Sequence, residues 1–569
     1  MALVQAAAIA MSALILTPGF SFYFDVTPKL AILLLAAAVS CLGARPARWS
    51  IFGWLILLSL ASLAVSTALS GTPAISAFGS NWRRFGAAPQ AAILLLAWFV
   101  SAQAGRAVAM LRIIVAAGAM TALYGIAQYF GWDPILPAAA YHVGEGVWTI
   151  VRPPGTLGYA SYFATWLLFV TFLSLAIPGR TWRGIALVCA AAMLATGTRA
   201  AMLGLIAGGA VWLFWRGWRV SRRSIAIACA VFAAAAIFYY SPVGWPLRSR
   251  TRWFVEDPWG GARPLLWRDS LRMAGARPAV GFGPETFTAV FPHYQSAELA
   301  RSYPDFAHES PHNMFLDALA AQGIPGALLL AGFCAVALRA AWRARTRDPA
   351  MAAALAAALA AGMVSQQFTA FTIPTAVIFF ATAALAIAQD SPENSVRPRS
   401  FAWTIAAVPL LYLAACFTFT DHQLALTQRS LSAGDIAGAA RHYESAHIPG
   451  ASSDLWYSRA LIRAGALQPA IAAGIRATRT AEDPFNAWYN LSALYAAQND
   501  VPRTEASLRE AIRANPAWFK PHWILARLLA ITGRVPEGAR EAALAAELDG
   551  GKHAEVAATL QQVRARLQE

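Results

Sequence analysis

The chain has 569 residues, of which 58% are hydrophobic and 13% charged, and it carries a formal net charge of +16. Soluble proteins of this size carry about 25% charged residues, so the composition excludes an ordinary soluble enzyme and points to repeated passage through a membrane. The positive balance does not imply nucleic acid: most arginines lie in short connections between apolar runs, where membrane proteins set their orientation.

Apolar runs approaching membrane-spanning length, about 20 residues, centre near 4–20, 29–45, 50–70, 88–104, 108–129, 156–176, 183–196, 199–216, 224–240, 325–345, 350–369, 373–389 and 401–419. They predict about 12–13 spans with ends uncertain by a few residues. The first run lacks a basic leader and is followed by many more, so it reads as a span and not as a signal peptide. The 183–216 stretch is too long for one upright helix and divides at Thr196-Gly-Thr-Arg-Ala200, with a single long tilted helix as the alternative. Cys41, Cys189, Cys229, Cys334 and Cys416 all fall inside apolar runs without metal-ligand spacing, and read as small packing residues.

Basic clusters test the threading. Arg45 and Arg48, Arg106 and Arg112, Arg180 and Arg183, then Arg216, Arg219, Arg222 and Arg223 fall in alternate connections. So do Arg339, Arg343, Arg345 and Arg347, and finally Arg397 and Arg399. With the N-terminus inside, all of them lie in the cytoplasm. Residues 71–87, 130–155, the turn at 196–200 and the long loop 241–324 then lie outside, together with everything after the last span.

Residues 420–569 are charged, polar and helix-prone, with a weak period of about 32–35 residues. Trp488-Tyr-Asn-Leu, Tyr495, Ala511 and Pro516 fit a tetratricopeptide unit, with neighbours starting near Trp456 and Trp523 and a degenerate unit near Leu424. A generic helical domain is the plainer alternative. Stacked helix pairs leave a concave groove that suits a protein partner. The expected fold is therefore all-α: a polytopic membrane helix bundle over 1–419 with a large outer loop at 241–324, then a helical repeat domain over 420–569.

The outer loop holds Arg248, Arg250, Arg252, Arg263, Arg268, Arg272, Arg277 and Arg301, with His293, His308 and His312. The planar guanidinium fork matches phosphate oxygens with two parallel hydrogen bonds. The plainer explanation is habit, because lysine occurs only at Lys29, Lys520 and Lys552. Pro264 suits the start of a helix headed by Arg263, whose Trp267 and Leu271 would share an apolar face. Pro311 can open another helix, placing His312 and Asn313 in a first turn whose free N–H groups favour an anion. The turn Thr196-Gly-Thr-Arg199 puts one arginine at the outer end of two spans.

Taken together, Arg263-x-x-x-Trp267, then Pro278-x-x-Gly281-x-Gly283 with Phe287, then His312-Asn313-x-x-Leu316 with Gly323 and Gly326, resemble the signature loop of the O-antigen ligase/polymerase superfamily. The Gly-Thr-Arg199 turn is similar to that family's small-residue–arginine element. The resemblance implies a metal-independent membrane glycosyltransferase without a cofactor, in the bacterial inner membrane, with its active site and C-terminal domain in the periplasm. It would move a glycan from undecaprenyl diphosphate to a hydroxyl of a glycan, lipid or protein acceptor in cell-surface polysaccharide assembly. Arg199 and Arg263 would stabilise the leaving group. His312 would assist the acceptor hydroxyl as a base or bind the diphosphate. Arg83, Arg84 and Arg152 are weaker candidates for lipid-diphosphate contact, and His308, Asn313 and Trp267 would complete the substrate site.

Two rival readings remain. His308-Glu-Ser-Pro-His312 matches the zinc-protease pattern, but Pro311 is incompatible with the helix that pattern needs. A lipid-linked-glycan transporter would place charges within its spans, whereas here they gather in one outer loop.

Overall fold

The computed structural model describes every residue except 146–147, 218–221, 259, 391–400, 447–449 and 569. Arg219, Arg397 and Arg399 of the basic clusters therefore lie outside the described residues.

Helices stand at the places the apolar runs mark. They are Ala2–Leu14, Thr27–Gly43, Ile51–Ala68, Ala87–Val100, Ala107–Tyr129, Ala160–Ser174, Arg180–Ala195, Arg199–Trp215, Arg222–Tyr240, Met314–Ala344, Pro349–Ser365, Ile373–Asp390 and Phe401–Ser432. Five segments are long and apolar enough alone to cross a bilayer: Ile51–Ala68, Ala104–Tyr129, Met314–Ala344, Ile373–Asp390 and Phe401–Ser432. Ala228–Tyr240 and Pro242–Glu256, bent by 81°, would make a sixth. Others, such as Ala87–Val100, are shorter apolar helices. At 1.5 Å per residue such a helix rises about 21 Å, less than the roughly 30 Å of hydrocarbon. The bundle is that of a multi-pass membrane protein, but helix length alone carries fewer crossings than the apolar runs predict.

The 183–216 stretch is two helices. Arg180–Ala195 ends at Thr196, Gly197 turns with φ +61°, and the next helix starts at Arg199. That second helix packs on the alanine-rich helix Pro349–Ser365. A Cβ at Gly204 or Gly208 would lie 2.7 or 2.9 Å from the carbonyl oxygens of Ala361 and Ala357, so two small residues one turn apart set the helix spacing.

The two ends of the bundle differ. At one, Trp98 Nε1 donates to the Ala47 carbonyl (3.2 Å), Gln389 Nε2 to that of Ala104 (3.3 Å) and Arg347 Nη1 to those of Gln389 and Asp390 (3.2 and 3.0 Å). Phe214 stacks on Trp342 at this end as well. The arginines at 45–48, 106, 216 and 343–347 thus share it. At the other end Lys29 Nζ donates to Thr156 O (2.7 Å), Met314 N–H to Gln366 O (2.9 Å) and Arg263 Nη2 to Phe368 O (3.2 Å). The long loop folds over that end.

One element departs from the all-α expectation. His142–Glu145 and Trp148–Val151 form an antiparallel hairpin, His142 facing Val151. Its second strand, Trp-Thr-Ile-Val, is rich in the β-branched and aromatic residues that suit strands.

The helix Phe401–Ser432 carries the chain past residue 420 without a break. Beyond it come Ile436–Ser445, Asp454–Arg463, Leu467–Thr480, Pro484–Ala497, Val501–Ala514, Phe519–Ile531, Val535–Asp549 and Ala554–Gln568, and the successive helices from Asp454 on pack on one another. These helices also hold the outer loop: Ala300 shares a core with Phe519 and Leu548, and Lys520 Nζ lies 3.0 Å from Asp305 Oδ1.

The ends are testable by labelling. In a background without Cys229 and Cys416, Phe306→Cys should react with an impermeant maleimide from one side of the membrane and Thr346→Cys from the other. Labelling of both from one side would refute the arrangement.

Candidate active site

The outer loop is braced before it is functional. The helix Arg263–Ala276 starts at Arg263 with Pro264 behind it, as the sequence implies. Its buried stripe, however, is Leu266, Ser270 and Met273; Leu271 is 53% exposed, so it shares no buried face with Trp267. Trp267 instead donates Nε1–H to the Pro311 carbonyl (3.0 Å), its ring 5.8 Å from Phe368.

The glycine motif is a backbone strap. Phe282 and Gly283 N–H donate to Ala320 and Ala321 O (2.9 and 2.8 Å), and Ile324 N–H donates to Pro278 O (2.7 Å). Gly281 and Gly323 both have positive φ, and a Cβ on either would stand 2.4 Å from the opposite backbone. The long helix breaks at Gly323 (φ 68°, ψ −165°), so Met314–Gln322 is a separately aimed segment clamped by this strap.

His312 precedes that segment with φ +50°. It is outside the helix, not in its first turn as expected. Asn313 is the N-cap, and its Oδ1 accepts from Phe315 and Leu316 N–H (3.0 and 3.1 Å). Met314 N–H donates to Gln366 O and Asp317 N–H to Asn313 O. All four first-turn amides are satisfied by the protein, so the helix end offers no free donors to an anion. Asn313 is a structural cap and also donates Nδ2–H to Gln367 Oε1 (2.9 Å).

The His312 ring lies 3.3 Å from Ser310 Oγ through Nδ1. Desolvation, then the charge of Arg263 and the neighbouring His308 and Arg83, lower its pKa to about 3. The imidazole is therefore neutral at physiological pH. His308 faces away, edge-on to Phe291 (5.8 Å) and pushed down to about 4 by desolvation. Residues 306–313 form no helix, so the two histidines lack the one-turn spacing of a zinc pair.

Four elements each deliver one arginine to a cluster, and one of the four, Arg263, acts on His312. Arg152 follows the hairpin, its N–H bonded to Tyr141 O (3.0 Å). Arg199 and Arg263 each begin a helix. Arg250 sits on the short helix Trp245–Thr251, which packs on the second strand. A Cβ at Gly197 would lie 2.5 Å from Arg250 Cγ, so the glycine before Arg199 makes room for a second arginine.

The four lie in one another's fields. Burial, together with the charges of Arg152, Arg199 and Arg263, lowers the Arg250 pKa to about 10. Arg263 is lowered by burial and by Arg199 and Arg152. Asp257 is a carboxylate that answers them, 3.8 Å from Arg199 Nη2. Arg152 Nε, Arg250 Nε and Nη1, and Arg263 Nε are buried without a hydrogen-bond partner among the described residues. Tyr159 stands at the centre, its ring 5.6 Å from Arg152 Cζ. Unmatched, buried guanidinium N–H groups of one sign are suited to a polyanion.

A cleft of about 480 Å³ adjoins the cluster, lined by Tyr159, Tyr162, Glu309, His312, Trp82 and Arg83, among others. Arg83 lines it, but its donors face protein acids: Nε pairs with Glu285, and Nη1 lies 3.1 Å from Asp317 Oδ2 and 3.3 Å from Phe371 O. Arg84 is fully buried on the far side, between the rings of Tyr23 and Phe417. The arrangement thus gathers Arg152, Arg199 and Arg263, the last acting on His312, places Trp267 and Asn313 as supports, keeps His308 near His312 but against Phe291, and sets Arg84 apart. Tyr159, Glu309 and Glu285 escape the sequence reading, and Arg250 is there only one of eight loop arginines. The Gly197–Arg250 complementarity becomes visible only once the loop has folded back.

These features define a multi-pass helical membrane protein with a cleft and an adjoining arginine cluster at one end of its bundle. Residues 184–331, from the helix before Arg199 to the helix after His312, match the family described as O-Antigen ligase. The match supports a glycosyltransferase-like role in polysaccharide assembly. No curated protein matches the chain.

Two measurements check the site. Inorganic pyrophosphate should bind the purified protein, and Arg250→Ala or Arg263→Ala should weaken it about tenfold or more, the worth of one charge-assisted hydrogen bond. Arg268→Ala, paired outside with Glu298, should leave binding unchanged. Glu285→Ala should lower the melting temperature sharply, because unpairing a buried ion costs about 3–5 kcal/mol; an unchanged melting curve would contradict the buried pair.

Proposed function

We propose that this chain transfers a glycan from undecaprenyl diphosphate to an acceptor hydroxyl on the periplasmic face of the bacterial inner membrane. The observation that carries the reading is the cluster of Arg152, Arg199, Arg250 and Arg263, three of which carry unmatched buried N–H groups, with a neutral His312 in the field of Arg263. The family match over the segment holding Arg199, Arg250, Arg263 and His312 supports it, and the arginine-rich opposite end fits a cytoplasmic face.

In the reaction the acceptor oxygen attacks the anomeric carbon, and the bond from that carbon to the diphosphate oxygen breaks. The electron pair leaves on undecaprenyl diphosphate, and the acceptor proton passes to the His312 imidazole. The arginines stabilise the charge developing on the leaving group, the task a divalent cation performs elsewhere. Accordingly the reaction proceeds without metal. The helices after residue 432 serve as a tetratricopeptide-like platform beside the loop.

Incubation of purified protein with undecaprenyl-diphosphate oligosaccharide in EDTA tests this. Longer chains mark polymerisation, while capped lipid or protein marks ligation; complete loss of activity with chelator would overturn metal independence. His312→Ala should reduce kcat about 10²–10⁴-fold. The His312 pKa of about 3 in the free enzyme leaves kcat/KM for the donor without an inflection from this group between pH 5 and 8. Bound diphosphate offsets the arginines and raises the histidine pKa, so the acid limb of kcat should lie at higher pH than that of kcat/KM. Coincident limbs would remove His312 as the base.

A further inference from the structure

The reaction cleft does not end at Trp82. That tryptophan also walls a second chamber, of about 710 Å³, between the outer loops of the bundle and the C-terminal helices. Tyr23 and Trp82 form one side; Trp456, Arg459, Glu482 and Asp483 form the other. The walls are fastened together: Tyr23 Oη lies 3.1 Å from Ser453 Oγ, Asn81 Nδ2 donates to Ser452 O (3.0 Å), and Ala451 N–H donates to Gly79 O (3.3 Å). The chamber is thus a built feature, assembled from residues more than 350 positions apart in the chain.

Its chemistry differs from that of the arginine cluster. Glu482 and Asp483 line it together with Arg459 and Arg463, so acids stand beside bases here, and Asp483 acts electrostatically on Glu309 in the reaction cleft, which marks the two spaces as neighbours. Aromatic faces at Trp82, Trp456 and Tyr23 offer flat apolar area, and carboxylates with an exposed arginine offer acceptors and donors for hydroxyl groups. Flat apolar faces with hydroxyl-binding polar groups between them suit pyranose rings, which are apolar on their C–H faces and polar at their rims.

We propose that this chamber is the acceptor subsite and holds the non-reducing end of an oligosaccharide, directing its hydroxyl past Trp82 to His312. The word acceptor rests on the transfer reaction above; the sugar site does not.

The probe is a fluorescently end-labelled oligosaccharide of two to four sugars released from the host's own surface polysaccharide. Its binding is measured on the full chain in nanodiscs. Trp456→Ala and Glu482→Gln should each weaken binding about tenfold and Trp456→Phe should restore most of it; Arg459→Ala should weaken binding too, and because its side chain is exposed the loss would not come from misfolding. In transfer assays the same variants should raise the acceptor KM and leave the donor KM unchanged. Absence of oligosaccharide binding, binding indifferent to all these variants, or binding of an unglycosylated acceptor peptide in the sugar's place would each overturn the assignment. Sugar binding without any transfer would support the chamber and defeat the reaction; transfer with unmoved acceptor KM would do the reverse.

Discussion

Repulsion among four guanidinium groups is the constraint around which the outer end of this bundle is built. Like charges brought into one another's fields at the edge of an apolar bundle lose hydration and repel, and side chains free to rotate would move apart. Here each arginine comes from a different element: a hairpin base, two helix starts and a short loop helix. No single side-chain or backbone rotation relieves all of the contacts. The elements are locked in turn by the Gly281–Gly323 strap and by the Trp267 hydrogen bond to Pro311. The glycines of the loop motif are therefore conditions for holding the charge, although none of them touches the cleft.

The segment Trp82-Arg83-Arg84 ties this end to the rest of the molecule. Three consecutive side chains point three ways, which the left-handed Arg84 backbone (φ 49°) permits. Trp82 separates the two chambers, Arg83 runs into the bundle to Glu285 and Asp317, and Arg84 goes under the C-terminal helices. Asp317 lies on the same short helical segment that Asn313 caps. The buried ion pairs thus connect the position of His312 to the loop on which the C-terminal helices dock. Such pairs contribute less to net stability than to fixing one arrangement among several.

Much of this was legible beforehand, for identifiable reasons. Arg199, Arg263 and His312 stand next to residues with strong local consequences, a Gly-Thr turn, Pro264 and Pro311, so position along a helix could be inferred. The split at 196–200 was readable because seventeen-residue apolar helices do not continue through a glycine turn. Arg250 was one of many loop arginines without a local mark; its neighbour across the fold, Gly197, lies far away in sequence. Arg83 and Arg84 looked equivalent in sequence because a left-handed residue between aromatic neighbours carries no compositional sign. The capping role of Asn313 was not separable from ligand binding, because both call for the same residue type at the same place. The hairpin was missed because its first strand, His-Val-Gly-Glu, holds one apolar residue and a glycine and so gives no strand pattern to pair with the second.

The neutral state of His312 also bears on the order of events in the proposed reaction. An imidazole whose pKa lies near 3 is a weak base, and the largest charge depressing it is that of Arg263. Arg263 is also one of the groups placed to meet the diphosphate. A bound dianion cancels part of the field that suppresses the histidine, so the base gains strength when the donor is in place. An acceptor arriving first meets a weak base and keeps its proton until the donor is in place. The same arginines that stabilise the leaving group then also set the timing of the base: as the diphosphate departs their field returns, the imidazolium loses its favour, and the proton is released for the next cycle. Leaving-group binding and acid–base readiness are two effects of one set of charges. For this reason a substitution at Arg263 alters both the donor's affinity and the pH dependence of the chemical step, whereas one at Arg250, which is absent from the groups acting on His312, alters chiefly the first.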